Sequence, residues 1–527
     1  MFQNKYYNYY YLFFFFFLLE ILSIWHSLNY YDGFHLGLLL NAADELSKGK
    51  LIYKDFFYPY GILNNYLNFI ILKIFNNNIF YLFLVYIQFY ILGIFILFKL
   101  FKKILNDFYP YILVLTLFLI HPFILKPWHN YLLFFLISYY LYLKSFFNLK
   151  KDLQSSFVLG IGFLFSETFF LASILIFIVD LKYYIKFFKY EKIVYKILLF
   201  LLPFFVFFSY LLAQNIYQFW INQSLTFPTL LEGFYQKGII EFILQYIKTF
   251  IFSFEKIFSK SYIFLFFVVF LSNVYFLVYN YKKIFFSSNK KVNILSFISI
   301  INLILISQSL NNVAVFKLAT LSSFGIVVLL YLISNQKDYF IKNTYIIILI
   351  LFSSMTFFDN DTNSLHLKRN NEKNKIIKND LSFIKYQKYE ENIWNNLNSL
   401  NQILVKIKKD CNIKYFANFT NDAYYYFLSN RYFDNMQKLF WYQNIAGNWQ
   451  NNYFNTLSTT FDNDLEEKIE KQIKKNNIFF ITDLINQNEI LLNGTIITFQ
   501  NYKIYDLNFT NFHKKKIILV PNECNIE

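Results

Sequence analysis

Apolar residues run for about twenty positions at a time through the first two thirds of the chain, near 9–28, 79–99, 108–125, 129–147, 156–181, 193–213, 260–281, 292–310, 313–333 and 340–358. Each run is long enough to cross ~30 Å of hydrocarbon as a helix, so the pattern predicts a polytopic α-helical membrane protein. The stretch 61–78 is shorter and amphipathic, and predicts a helix lying at the interface.

Residues 156–181 admit two readings. As one crossing they give ten spans, and the Lys-rich loop 182–196 falls opposite the Lys-rich loops 99–103 and 144–151. As two short helices turning at Ser166-Glu167 they give about eleven transmembrane helices, with 18 Lys on the side of Lys5 and 9 on the other. Lysine bias in short loops orients membrane helices, so the hairpin is preferred. It turns Glu167 outward and leaves the first loop and the C-terminal region outside the cytosol.

Between 214 and 259 the pattern predicts a longer outer connection, with an amphipathic stretch from Gly238 to Phe258 on the membrane surface. Around Asp359 the composition turns abruptly to Asn, Asp, Lys and Ser. That boundary divides a membrane domain, 1–358, from a C-terminal region, 359–527, long enough for its own core. There the pattern predicts a long helix near 380–409, a strand at Ile413–Asn418, a helix from Asn421, and a charged helix near 462–475 opened by Asp462 or Asp464. Strands follow at Ile478–Thr482, Thr495–Phe499, Lys503–Leu507 and Ile517–Val520. Strands alternating with helices imply a soluble α/β domain.

Composition changes this picture in three places. The formal net charge of +16 is concentrated in residues 1–358, which hold 28 Lys against 14 acids. The positive-inside rule accounts for that excess, and no nucleic-acid partner is expected. Aromatic residues make up 24% of the chain and are spread everywhere, so stripes of Phe or Tyr read as packing rather than as sites. Lys5 precedes an apolar span with no small-residue cleavage site, which predicts a retained first helix. Cys411 and Cys524, the only cysteines, lack metal-site spacing; outside the cytosol they can pair or stay free.

The first loop, residues 29–78, is more polar than a connector needs. It carries Asp32 and Gly33 just past the first span, then an amphipathic helix over Gly33–Leu46, Gly49-Lys50, Tyr53-Lys54-Asp55-Phe56-Phe57, and the aromatic turn Tyr58-Pro59-Tyr60-Gly61. In this order the loop resembles the first outer loop of the GT-C superfamily. Those integral membrane glycosyltransferases use polyprenyl-phosphate sugars and include protein O-mannosyltransferases and the aminoarabinose transferases of lipid A. The better-known branches place a Glu after the Asp and a Lys-Pro-Pro in the turn, where this chain has Gly33 and Tyr58-Pro59-Tyr60. The resemblance implies short, broken helices around a cavity open to the outer side.

Sugar transfer from a lipid phosphate needs a base for the acceptor's proton, cations or donors for the departing phosphate, and lateral access for the lipid. A carboxylate at the outer interface suits the first task, and Asp32 is the candidate catalytic base. As a helix cap it has a second, compatible reading. His35, one turn on, is placed to orient Asp32 or touch sugar, or is a plain interfacial histidine. Asp44 and Glu45 read as a solvated helix end, and Asp55 as the second substrate-binding acid.

Lys54, Lys126 and Lys317 are the candidate phosphate cations; snorkelling explains Lys317 equally well. Tyr58 and Tyr60 are candidate phosphate donors. His121, Lys126, Trp128 and His129 form either a sugar-binding rim or an interfacial aromatic belt, and Glu167 lies at a polar turn where an acid marks function. Glu20, inside the first span, has no evident role.

These residues lack the spacing of a metal site, so no obligatory cofactor is expected. The expected partners are membrane lipid, a polyprenyl-phosphate-linked sugar as donor, and a lipid or cell-envelope glycan acceptor. The expected location is a bacterial inner membrane, with the C-terminal domain periplasmic. The competing reading is a lipid or glycan transporter or flippase, which predicts charges in mid-span and inverted repeats. Another is an envelope glycan polymerase or ligase outside this superfamily.

Overall fold

The computed structural model describes residues 3–28, 33, 35–58, 61–105, 108–121, 129–166, 169–188, 190–226, 261–282, 289–307, 319–359, 375–376, 381–387, 389–420, 422–437, 465–483, 489–492, 495–498, 501–511 and 514–526. The membrane part is built from α1 (Gln3–Ser27), α2 (His35–Ser47), α3 (Ile62–Ile74), α4 (Phe80–Ile104), α5 (Tyr109–Leu119), α6 (His129–Lys144), α7 (Leu149–Phe165), α8 (Phe169–Phe188), α9 (Ile193–Ala213) and α10 (Tyr217–Ile221). It continues with α11 (Ser261–Tyr279), α12 (Lys290–Ser307), α13 (Ser323–Ser334) and α14 (Tyr339–Asp359).

Among the described residues, α4, α9, Tyr262–Tyr279 of α11 and Tyr339–Phe357 of α14 are long and apolar enough to cross a membrane by length and composition. The run at 156–181 is broken into α7 and α8, and α7 opens on an Asn148 cap whose side chain accepts from the Lys151 amide at 3.2 Å. The run at 313–333 is not continuous: the helix breaks at Leu321–Ser322, and α13 keeps only 12 residues, ~18 Å.

α3 is amphipathic in an inverted sense. It buries Asn64, Asn65 and Asn68 against the protein and exposes Ile70 and Ile74. Such a helix suits a polar protein interior on one side and lipid on the other.

The C-terminal part comprises β1 (Lys375–Ile376), β2 (Tyr389–Glu390), α15 (Glu391–Asp410), β3 (Tyr415–Phe419), α16 (Ala423–Asn430), β4 (Asp434–Asn435), α17 (Leu465–Ile473), β5 (Ile478–Asp483), β6 (Glu489–Leu492), β7 (Thr495–Thr498), β8 (Tyr502–Asn511) and β9 (Lys514–Pro521). One mixed sheet runs β4-β3-β5-β9-β8, with β3 parallel to β4 and β5, and β9 antiparallel to β5 and β8. The long helix expected near 380–409 begins only at Glu391, behind a short turn of helix at Ser382–Ile384. It buries Trp394, Leu397, Leu400, Leu404 and Ile407, one apolar residue per turn, toward the sheet. Thr495–Thr498 pairs with β6 in a separate hairpin rather than joining the main sheet. Cys411 and Cys524 are disulfide-bonded, tying the end of α15 to the segment after β9.

Candidate active site

The first loop touches both the C-terminal end of α7 and the C-terminal part of the chain. Gly61 packs against the last turn of α7: a Cβ there would stand 2.4 Å from the Leu164 carbonyl oxygen and 2.7 Å from the Ser166 nitrogen. Only a glycine allows that approach, and it sets the end of the first loop against the last turn of α7.

α2 meets α16 just as closely. The Asn41 amide donates to the Ala423 carbonyl at 2.8 Å, and a Cβ on Gly37 would meet the Ala423 carbonyl carbon at 2.6 Å. Farther along, Asn430 donates to Asp44 and to Glu45, each at 2.7 Å, while Lys48 donates to the Asn430 carbonyl at 2.8 Å, a cation at the C-terminal end of α16. Glu45 is fully buried, so Asp44 and Glu45 are not the solvated helix end expected from the sequence: they belong to a polar seam with the C-terminal part. A second contact lies at the start of α4, where the Ile79 amide donates to the Phe383 carbonyl at 3.0 Å.

Within the loop, Tyr58 is fully buried and its hydroxyl accepts from Asn64 at 3.2 Å and Asn68 at 3.4 Å. Tyr86 of α4 donates to the Oδ1 atoms of both asparagines. Burial pushes the Tyr58 phenol well above its ordinary range, and the hydrogen bonds from Asn68 and Asn64 only partly offset this. Tyr58 therefore stays neutral at any working pH. Gln223, after α10, holds the other side: its amide donates to the Tyr53 carbonyl at 2.5 Å, and its oxygen faces the Tyr58 amide at 3.5 Å. It steadies Tyr53 at φ 71°, a left-handed conformation that a tyrosine adopts only at a cost of roughly 1–3 kcal/mol.

The remaining expected site residues are placed unevenly. Asp55 is half-buried, and its carboxylate accepts from the Leu51 amide at 2.8 Å, closing its own turn. Lys54 is exposed, and His35 and His129 are half-buried at the first positions of α2 and α6. His121 is buried and stacks on Tyr90 at 4.5 Å between ring centres. Asp32, Tyr60, Lys126, Trp128, Glu167 and Lys317 lie outside the described residues, as do Gly238–Phe258, Asp462 and Asp464. Glu20 has a partner that the sequence did not disclose, the Gln88 amide at 2.8 Å.

Sequence reasoning also missed Asn64, Asn65, Asn68 and Gln223. The one available signal was three asparagines on a single face of an otherwise apolar helix. Asn65 is fully buried, and neither side-chain atom has a hydrogen-bond partner among the described residues.

At the opposite end of α7 stands a cluster with no sequence forewarning. Lys144, Asp152, Asp180 and Lys196, from α6, α7, α8 and α9, are buried together. Lys144 is paired with both carboxylates, and Lys196 reaches Asp152 at 2.6 Å, Asp180 at 3.0 Å and Ser156 at 2.9 Å. Two cations and two anions cancel, so the group reads as a clasp joining four helices. Among the described residues no three His, Cys, Asp or Glu side chains stand together as metal ligands.

No protein-family model matches the chain, and neither does any curated protein. Two solved structures do. Both are of ArnT from Cupriavidus metallidurans: one in the apo state, with a TM-score of 0.52, and one bound to undecaprenyl phosphate, with a TM-score of 0.50. Each is 8% identical in sequence, and each match covers 96% of both chains. The match thus spans nearly the whole of both chains. The chain shares the fold of these ArnT structures.

Proposed function

We propose that this protein is a membrane glycosyltransferase. It would move a sugar from a polyprenyl-phosphate donor to a lipid or envelope-glycan acceptor at the outer face of a bacterial inner membrane, with Asp32 as general base. The observation that carries the reading is the fold shared with ArnT over 96% of the chain, one ArnT structure having undecaprenyl phosphate bound. The contacts of the first loop with the end of α7 and with α16 support it. So does the Cys411–Cys524 disulfide, which fits an oxidising, extracytoplasmic setting for residues 359–527.

In this mechanism the acceptor hydroxyl attacks the anomeric carbon as its proton passes to the Asp32 carboxylate. The bond to the phosphate oxygen breaks with its electron pair on the leaving group, so polyprenyl phosphate departs and the configuration inverts. Lys54, Lys126 and Lys317 are the cations offered to that phosphate, with Tyr60 as donor and Tyr58 as the buried post of the turn. His35, Asp55, His129 and Glu167 are the proposed sugar- and acceptor-side contacts.

The test is transfer from a radiolabelled polyprenyl-phosphate sugar in membranes carrying Asp32→Asn. Removing a general base costs about 10²–10⁴-fold in rate. Undiminished transfer would overturn the mechanism. A topology reporter fused after Asp359 tests the orientation, which a cytosolic signal would refute.

A further inference from the structure

The contact between Gly33 and α16 is closer than a docking seam requires. A Cβ on Gly33 would stand 2.5 and 2.7 Å from the two carboxylate oxygens of Asp422, and the Ala423 amide donates to the Gly33 carbonyl at 3.0 Å. Asp422 is itself heavily held. It caps α16 through the Tyr424 amide at 3.0 Å, its carbonyl accepts from Asn418 at 3.0 Å, and its amide donates to Thr420 at 3.2 Å.

Behind it sits Lys516 of β9, with its ammonium 3.8 Å from the Asp422 carboxylate and 4.6 Å from the centre of the Tyr425 ring. Both side chains are almost wholly buried, at 2% and 4% exposure, and the ammonium has no hydrogen bond among the described residues. A helix cap alone needs no buried lysine, and burying one is costly unless its charge is answered.

We infer that Asp422, anchored by Lys516, is a positioning residue for the first loop: the Ala423 amide holds the Gly33 carbonyl and the Asp422 carboxylate packs against Gly33, the neighbour in sequence of Asp32. This rests on the reading of Asp32 as the base. It makes the C-terminal part a component of the site, because the clamp comes from α16 and β9 while the base comes from the first loop.

Asp422→Asn keeps a good helix cap but removes the charge that Lys516 answers, and Lys516→Met removes the other partner. In the full-length protein in nanodiscs, hydrogen exchange is read at amides 31–37 and at 423–430. The expected result in both variants is at least tenfold faster exchange at 31–37, with protection of α16 retained. Equal exchange at 31–37, or loss of protection over both segments, would overturn the inference, and this readout needs no donor. A second, independent check uses Gly33→Ala. Its added methyl should lower the melting temperature when Asp422 is present and do so less in the Asp422→Ala background; an equal loss in both would refute the contact.

With undecaprenyl-phosphate-linked sugars as donors, Asp422→Asn should lower kcat at least tenfold with KM for the donor within twofold. If Asp32→Asn abolishes transfer while Asp422→Asn leaves kcat unchanged, the positioning role fails and the base stands. If Asp32→Asn transfers normally, the base assignment fails, and the exchange data alone judge the clamp.

Discussion

The carboxylate of Glu45 accepts a hydrogen bond from the Asn430 side chain at 2.7 Å, with the two residues 385 positions apart. Asn435 donates to the same oxygen at 2.7 Å, and Lys50 is paired with the carboxylate's other oxygen. Because Glu45 is fully buried, these partners are what make its charge tolerable. Glu45→Ala takes the acceptor from the Asn435 amide and the partner from Lys50, and leaves Asn430 with Asp44 alone. It should weaken the seam by about 3 kcal/mol, hydrogen bonds to a charged group being worth ~1.5–3 kcal/mol. Limited proteolysis should then separate the C-terminal part from the membrane part faster than in the parent, and equal cleavage rates would refute the seam.

The clasp at the far end of α7 makes a sharper demand. Asp180→Asn leaves Lys144 and Lys196 sharing a single carboxylate, an uncompensated buried charge. Breaking a buried pair in this way costs about 3–5 kcal/mol. Adding Lys196→Met restores neutrality and should recover part of the loss. Thermal melting in detergent distinguishes the three proteins, and an unchanged midpoint for Asp180→Asn would show that the four charges do not act together.

Cys411 and Cys524 close a loop of 113 residues. Replacing either with Ser should destabilise the sheet by roughly 2–5 kcal/mol, the usual effect of removing a native cross-link from a small fold. Protein isolated without reductant should show no thiol that reacts with maleimide under denaturing conditions. Two reactive thiols would contradict the pairing.

Tyr502 gives the C-terminal sheet a pH signature. Burial raises its phenol above the usual value of 10.0, and its hydroxyl donates to the Ile478 carbonyl at 3.2 Å. The folded state thus holds this proton more tightly than the unfolded state, so stability falls as pH rises past about 10 and the unfolded chain ionises. The contribution is fully present below that pH. Tyr502→Phe should flatten the alkaline decline seen by circular dichroism; an identical slope would mean that the phenol is not buried in solution.

What the sequence disclosed follows the range of the forces involved. The break at Ser166 was legible because lysine bias in short loops is a local record of orientation, and the first loop because its residue order is contiguous. The role of Glu45 was not legible, since its partners at 430 and 435 are brought to it only by the packing of α16 on α2. The four-charge clasp draws one residue from each of four helices, each unremarkable on its own. The inverted face of α3 follows from polar neighbours, Tyr58 and Tyr86, that periodicity cannot foresee. The break at Leu321–Ser322 falls inside an apolar run with no Pro or Gly at the break itself, Gly325 standing three residues on inside α13.

The seam also has a consequence for how the protein is made. Glu45 leaves the ribosome 385 residues before Asn430 exists. At ~5–20 residues per second, the first loop waits roughly 20–80 s for the partners that complete it. During that interval its carboxylate must rest in water or against another protein, and a ribosome that stops short of α16 releases a chain whose membrane helices are complete but whose first loop has nothing to close upon.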